Sequence, residues 1–176
     1  MNCEHVWPQS MYVPDNTNLM KSDLHHLRPC KENVNSYRSN KPFGESNDIV
    51  TDNWLWLSYN YSSIPSSNIG EYSESFTTLF EPREDVKGDI ARAMFYFYTI
   101  YEAEAYQSFF EQQYEILFAW HNQDPIEESE IDRTWAIASY QNNIPNPFIL
   151  DTTLIYRAYF YNNDNLLGDL NEDGII

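Results

Sequence analysis

Asp23-Leu24-His25-His26-Leu27-Arg28-Pro29-Cys30-Lys31-Glu32-Asn33-Val34-Asn35-Ser36-Tyr37-Arg38-Ser39 is the stretch on which the fold turns. Residues 23–27 alternate enough for a strand. Pro29 then suits the first turn of a helix, where its missing N–H costs nothing. That helix is predicted to run to about Ser39 and to stop before Pro42 and Gly44, with weak propensity because of its Asn and Ser content. Upstream, Cys3-Glu4-His5-Val6-Trp7 reads as a short strand ended by Pro8. Residues 9–22 are polar and Asn-rich around Pro14-Asp15-Asn16, so they read as a loop.

Further along, residues 50–61 look extended and residues 62–75 read as a Ser-rich loop. From Pro82 the pattern turns helical. Val86, Ile90, Ala93, Met94, Phe97 and Tyr101 keep the spacing of an amphipathic helix. Phe109, Phe110, Ile116, Leu117 and Trp120 support a second helix. Asp124-Pro125-Ile126-Glu127 offers an N-cap, a proline at the first helical position and an acid in the first turn of a third, ending near Asn142. The predicted class is α+β, with a small ββα finger over residues 3–40 docked on a mainly helical body over residues 80–145.

The chain has 176 residues, 42% of them hydrophobic and 16% aromatic, which is enough for one domain with a core. No apolar run approaches the ~20 residues of a membrane helix. The N-terminal stretch carries Glu4, His5, Pro8 and Gln9 instead of the apolar core of a signal peptide. A net charge of −17 leaves no global basic footprint for nucleic acid. The charge is uneven, however. Residues 1–50 hold five basic and six acidic residues, whereas residues 51–176 hold five and 21. His5, His25 and His26 also fall in the first part, where a polyanion meets the least hostile surface. Two cysteines make no disulfide framework, but Cys3 and Cys30 flank the two predicted strands, so a bond between them is geometrically open.

Three blocks in chain order carry a resemblance: Glu4-His5-Val6-Trp7-Pro8-Gln9-Ser10, Asp23-Leu24-His25-His26-Leu27-Arg28-Pro29 and Val34-Asn35-Ser36-Tyr37-Arg38-Ser39-Asn40. They resemble the endonuclease I family of ββα-metal (His-Me finger) nucleases. The likeness continues through Pro42-Phe43-Gly44, residues 80–96, Trp120-His121 ahead of Asp124-Pro125, and Asn146-Pro147-Phe148-Ile149. It implies a secreted or periplasmic endonuclease that cuts DNA, and often RNA, with little sequence preference. The implied cofactor is Mg²⁺, or another divalent cation such as Mn²⁺ or Ca²⁺. The family pattern assigns His5 as general base and Glu4 and Asn35 as metal ligands, with Arg38 or Arg28 holding the phosphate.

The chemistry suits those residue types. A neutral His can take a proton from water, and Mg²⁺ accepts a sparse oxygen shell completed by water and substrate phosphate. Asn35 and Arg38 stand three apart, so a helix presents both on one face. Glu4 and His5 are adjacent, and adjacent strand residues face opposite ways, so the strand must twist or end there for both to serve one site. One of His25 and His26 is expected to pack or to orient a neighbour, and His121 is expected to be structural. Arg83 and Lys87 read as solvated, and the aromatic run Phe95 to Tyr98 as core.

The family pattern normally has several dozen residues ahead of its Glu-His block, where this chain has Met1-Asn2-Cys3. Residues 1–160 are therefore expected to be an N-terminally truncated nuclease domain. Residues 161–176 are expected to be a linker and an incomplete dockerin-like calcium repeat, because Gly168-Asp169-Leu170-Asn171-Glu172-Asp173-Gly174 gives alternate oxygen ligands without the closing acid. A cohesin-type partner would follow only from a complete repeat. Around Asn142 to Phe148 the family usually has a Gly and an Arg where this chain has Asn143-Ile144-Pro145. The alternatives to an active enzyme are a non-catalytic extracellular module and an inactive truncated copy.

Overall fold

A computed structural model describes residues 2–13 and 17–161. Strand β1 (Asn2–His5) pairs antiparallel with β2 (Leu27–Cys30) in a two-stranded ribbon. Between them lies a short helix, α1 (Thr17–Ser22), inside the segment expected to be a loop. Helix α2 (Glu32–Arg38) follows β2. The second strand and its helix therefore start later than the sequence suggested. The cause is Asp23, whose side chain accepts the His25 N–H at 2.9 Å and caps a 3-10 turn over Leu24–His26. That turn buries both histidines and delays the strand to Leu27. Pro29 consequently sits in an edge strand opposite Cys3, where no ladder N–H is required of it.

A second sheet has four antiparallel strands in the order β4-β3-β5-β6: β3 (Asn53–Trp56), β4 (Tyr59–Tyr61), β5 (Ser73–Ser75) and β6 (Phe80–Glu81). The sequence anticipated the extended segment over β3 and β4 but not β5, which lies in the Ser-rich stretch. Ser73, Glu74 and Ser75 are polar yet buried, so no hydrophobic alternation marks them.

The helical body is built on α3 (Lys87–Ile100), which packs most extensively on α5 (Tyr114–Gln123). Ten of its residues are buried, including Phe95, Tyr96, Phe97 and Tyr98, so α3 is a central helix packed on several sides and not an amphipathic surface helix. The second expected helix is broken at Gln112-Gln113 into α4 (Gln107–Glu111) and α5. The third, α6, spans Glu128–Ala138. Asp124 does not cap it, because its carboxylate accepts the Gly88 N–H of α3 at 2.8 Å. Asn142 and Asn143 follow with φ of 56° and 59°, a left-handed conformation that Asn tolerates. A short α7 (Pro147–Leu150) closes the body, capped by Asn146.

Trp7, fully buried, anchors the N-terminal ribbon to this body by stacking on Phe97, with ring centroids 5.0 Å apart. The α+β class holds. Among the described residues no helix is long and apolar enough to cross a membrane. The expected tail motif, Gly168 to Gly174, lies outside the described residues.

Candidate active site

Glu4 and His5 close strand β1, and Asn35 and Arg38 come from α2. All four border one open depression of about 580 Å³, together with Gln9 and Asn40. Glu4 and His5 therefore face a common space although they are adjacent, because the strand ends at His5 and the chain turns toward Pro8.

Glu4 is buried, and its Oε1 lies 3.0 Å from Arg38 Nη1. The approach is close enough for ion pairing but is not aligned as a hydrogen bond, and Oε1 has no hydrogen-bond partner among the described residues. Burial pushes the Glu4 carboxyl up, and the Arg38 charge opposes that shift. Arg38 is 2% exposed. Its guanidinium donates to the carbonyl oxygens of His5 at 3.2 Å and Val6 at 2.6 Å and lies 4.5 Å from the Phe43 ring centroid. This geometry makes Arg38 a clamp on the end of β1. Desolvation lowers its pKa to about 10, still far above neutrality.

His5 Nε2 lies 3.1 Å from the Lys21 carbonyl oxygen. A carbonyl can only accept, so the ring proton sits on Nε2 and the Nδ1 lone pair can accept. The exposed Gln9 amide nitrogen, a donor, lies 3.3 Å from Nδ1 and 3.2 Å from Nε2, so a water at Nδ1 would take the place of Gln9. Burial is the main cause of a lowered His5 pKa; the Lys21 carbonyl opposes it, and the charges of Lys21 and Arg38 add to it. The neutral, proton-accepting ring is therefore the form present at neutral pH.

The other histidines are held the same way but are enclosed. His26 Nε2 donates to Met20 O at 2.7 Å, His25 Nε2 to Ile144 O at 2.9 Å and His121 Nε2 to Thr152 O at 2.9 Å. His26 is 0% exposed, and burial drives its pKa down to about 4. Its ring lies 5.5 Å from that of His5, so it packs behind the depression. Arg28 is turned toward α3 and pairs with Asp89 at 2.8 Å.

One sequence expectation changes, and the pairing left open between the two cysteines is answered. Lys87 is 3% exposed, not solvated, and its ammonium contacts Glu81 at 2.7 Å, Glu84 at 2.8 Å and Glu45 at 3.0 Å. Cys3 and Cys30 are free thiols. Cys30 pairs with Asn2 and Cys3 with Pro29, so the two cysteines are offset by one position and project from opposite faces of the ribbon. The structure also reveals α1, which the sequence did not show. Its Met20 and Lys21 carbonyls hold His26 and His5, and a backbone acceptor leaves no residue-type signal.

The donor set suits a hard divalent cation. Glu4 contributes a carboxylate whose Oε1 is ion-paired with Arg38 but makes no hydrogen bond, Asn35 lines the same depression, and the open space leaves room for water and phosphate oxygens. Among the described residues no group of three or more His, Cys, Asp and Glu is arranged to hold a metal, so such an ion would depend on those other oxygens.

Comparison with known proteins places this geometry in context. An extracellular ribonuclease of Bacillus subtilis (strain 168) is 32% identical over 162 residues, covering 84% of this chain and 50% of that protein. An extracellular ribonuclease of Bacillus amyloliquefaciens matches with the same identity and the same coverage, 32% over 162 residues. The chain thus spans about half the length of the curated relatives it matches. The endonuclease I family matches residues 1–153, which include the ribbon, both sheets and helices α1 to α7, and the chain belongs to that family.

Proposed function

We propose that this chain is a divalent-metal-dependent, sequence-nonspecific endonuclease that hydrolyses phosphodiester bonds of DNA and RNA, acting outside the cytoplasm. The observation that carries the reading is the convergence of a neutral His5, its Nδ1 lone pair free of the Lys21 bond, with the Glu4 carboxylate and Asn35 around one open depression. The order β1, β2, α2 is read as the ββα-metal finger of this family. The ribonuclease names of the relatives support RNA as a substrate, and their extracellular naming supports secretion.

In this reading, Glu4 and Asn35 would hold Mg²⁺, which would supply charge neutralisation at the phosphoryl group and the leaving oxygen. His5 Nδ1 takes the proton of the attacking water while the Lys21 carbonyl keeps Nε2–H in place. Arg38 holds the carbonyls of His5 and Val6 and stands beside Glu4, so it acts as a positioning residue for both catalytic neighbours. Arg28, paired with Asp89 at the side of the ribbon, is the cation that substrate phosphate can reach by exchanging one partner for another. Digestion of plasmid DNA and of RNA by the purified chain with Mg²⁺, with and without EDTA, tests the reading. Cleavage abolished by EDTA is expected; a folded protein that cuts neither substrate at any metal concentration would reject it.

A further inference from the structure

A second cavity, of about 450 Å³, lies between the ribbon and α2 on one side and the larger sheet and the start of α3 on the other. Glu4, Asn35 and Arg38 form part of its wall and also border the depression at His5. Arg28 lines it too, so an occupant would touch the residues proposed to hold the metal and to meet the phosphate. Much of the remaining wall is apolar: Val34, Leu55, Phe80, Pro82, Val86 and Ile90.

The charge of this cavity departs from that of the chain. Arg28, Lys31, Arg38 and Arg83 line it, four of the chain's 10 Lys and Arg, against Glu4, Glu71 and Asp89 out of 27 acidic residues. Glu4 and Asp89 are each matched by a lining arginine, at 3.0 Å and 2.8 Å. Three buried polar atoms on this wall have no hydrogen-bond partner among the described residues: Glu4 Oε1, Arg28 Nε and Arg38 Nε. An apolar pocket with cationic edges and unsatisfied donors next to a metal-ligand pair calls for a ligand that is apolar and planar in one part and anionic in the next.

We propose that this cavity receives one unpaired nucleobase of the substrate, next to the phosphate that would bind the metal ion at Glu4 and Asn35, and that the preferred substrate class is single-stranded nucleic acid. The inference rests on the nuclease reading above. A nucleotide joins a flat apolar face to an anion through one sugar, which matches the spacing of pocket and site. The volume falls within the ~300–1,000 Å³ of ordinary small-ligand pockets. Apolar walls hold the face of any base without reading its edge, which agrees with cleavage at any sequence. A base inside a duplex must first unpair and unstack to enter, so unpaired strands are favoured.

The test uses adenosine 3′- and 5′-monophosphate against ribose 3- and 5-phosphate, with Mg²⁺, and reads binding by calorimetry. At least one adenosine monophosphate is expected to bind roughly tenfold more tightly than its matching sugar phosphate. Val86→Trp and Val34→Trp each fill the pocket from a half-buried wall position and are expected to remove that advantage while the sugar phosphates bind as before. In cleavage assays a single-stranded oligonucleotide is expected to show a KM at least tenfold below its duplex, and the filled variants to lose that difference. Equal binding of nucleotide and sugar phosphate by the wild type overturns the proposal, as does an undiminished base advantage in a folded variant. The wild-type comparison stands even if a filled variant fails to fold. The nuclease reading fails separately: a protein that binds nucleotides in this pocket but hydrolyses no phosphodiester keeps the pocket and loses the enzyme. Hydrolysis with no base advantage does the reverse.

Discussion

His5 Nε2 and the carbonyl oxygen of Lys21 are 3.1 Å apart, and this contact decides which ring nitrogen of His5 can act. The backbone of α1 accepts the Nε2 proton, and the Nδ1 lone pair is left toward Gln9 and the open depression. The same short helix offers its Met20 carbonyl to His26, so two neighbouring rings are held by consecutive carbonyls.

His5 acts in this account only when neutral. Its pKa is lowered from 6.5, chiefly by burial, so the acid limb of kcat/KM is expected below pH 6.5, and the rate at pH 6.5 is expected to exceed half the plateau. His5→Ala is expected to lose about 10²–10⁴-fold in kcat while retaining metal binding. A folded variant within threefold of the wild-type rate at saturating metal would remove His5 from the mechanism.

Arg38 distinguishes a clamp from a phosphate-binding residue. Its guanidinium is enclosed and holds Glu4, His5 and Val6, so Arg38→Met leaves Glu4 buried without its cation. Loss of about 3–5 kcal/mol in stability is expected, together with a fall in activity. If Arg38 only grips substrate phosphate, urea unfolding will show wild-type stability and the defect will appear in KM.

His26 links stability to pH. Its folded pKa is about 4 against an ordinary 6.5, because burial disfavours the charged ring. Between those values the unfolded chain binds more protons, so the neutral ring's contribution is fully present above pH 6.5 and is lost as pH falls toward 4. The difference is of order 3 kcal/mol. His26→Gln, which cannot titrate, should show a shallower loss of stability between pH 7 and pH 4.5 in denaturant titrations; parallel slopes for the two proteins would contradict the assignment.

Glu74 has the opposite sign. It is 5% exposed, and burial, with help from the facing Glu81, raises its carboxyl to about 7 despite the Thr51 hydrogen bond. The folded state holds this proton more tightly than the unfolded chain, so ionisation of Glu74 weakens the fold as pH rises from 4.5 toward 7. Glu74→Gln keeps an acceptor for Thr51 and is expected to raise stability by ~1–2 kcal/mol at pH 8 and by much less at pH 5. An equal gain at both values would show that the carboxyl does not titrate there.

Gly88 fixes the start of α3 against the end of α5. A Cβ at this position would meet the Asp124 carbonyl and stand 2.8 Å from Arg92 Nη1. Gly88→Ala is expected to lower stability by about 1–3 kcal/mol, although alanine is the better helix former. A variant with a melting temperature at or above that of the wild type would show that the two helices can separate without cost.

The sequence by itself carried the residue types of the site and much of the frame. Glu4, His5, Asn35 and Arg38 stood out because the ordered blocks that hold them resemble the endonuclease I family, and the aromatic run of α3 announced its core by composition. The helix and strand signals are local, since periodicity and caps act within a few residues. Tertiary structure decided the rest, because it depends on partners far away in the chain. Asp23 is drawn to Tyr96, Tyr101 and Gln141, and that set of bonds holds the turn that displaced the second strand. Lys87, charged and on a helix that read as half-solvated, is buried where Glu45, 42 residues away, joins the nearby Glu81 and Glu84 on its ammonium. Arg38 became an internal clamp because the His5 and Val6 carbonyls it holds lie 33 and 32 residues away. Local pattern names the groups that can do chemistry; only the packed backbone determines which of their atoms are free to do it.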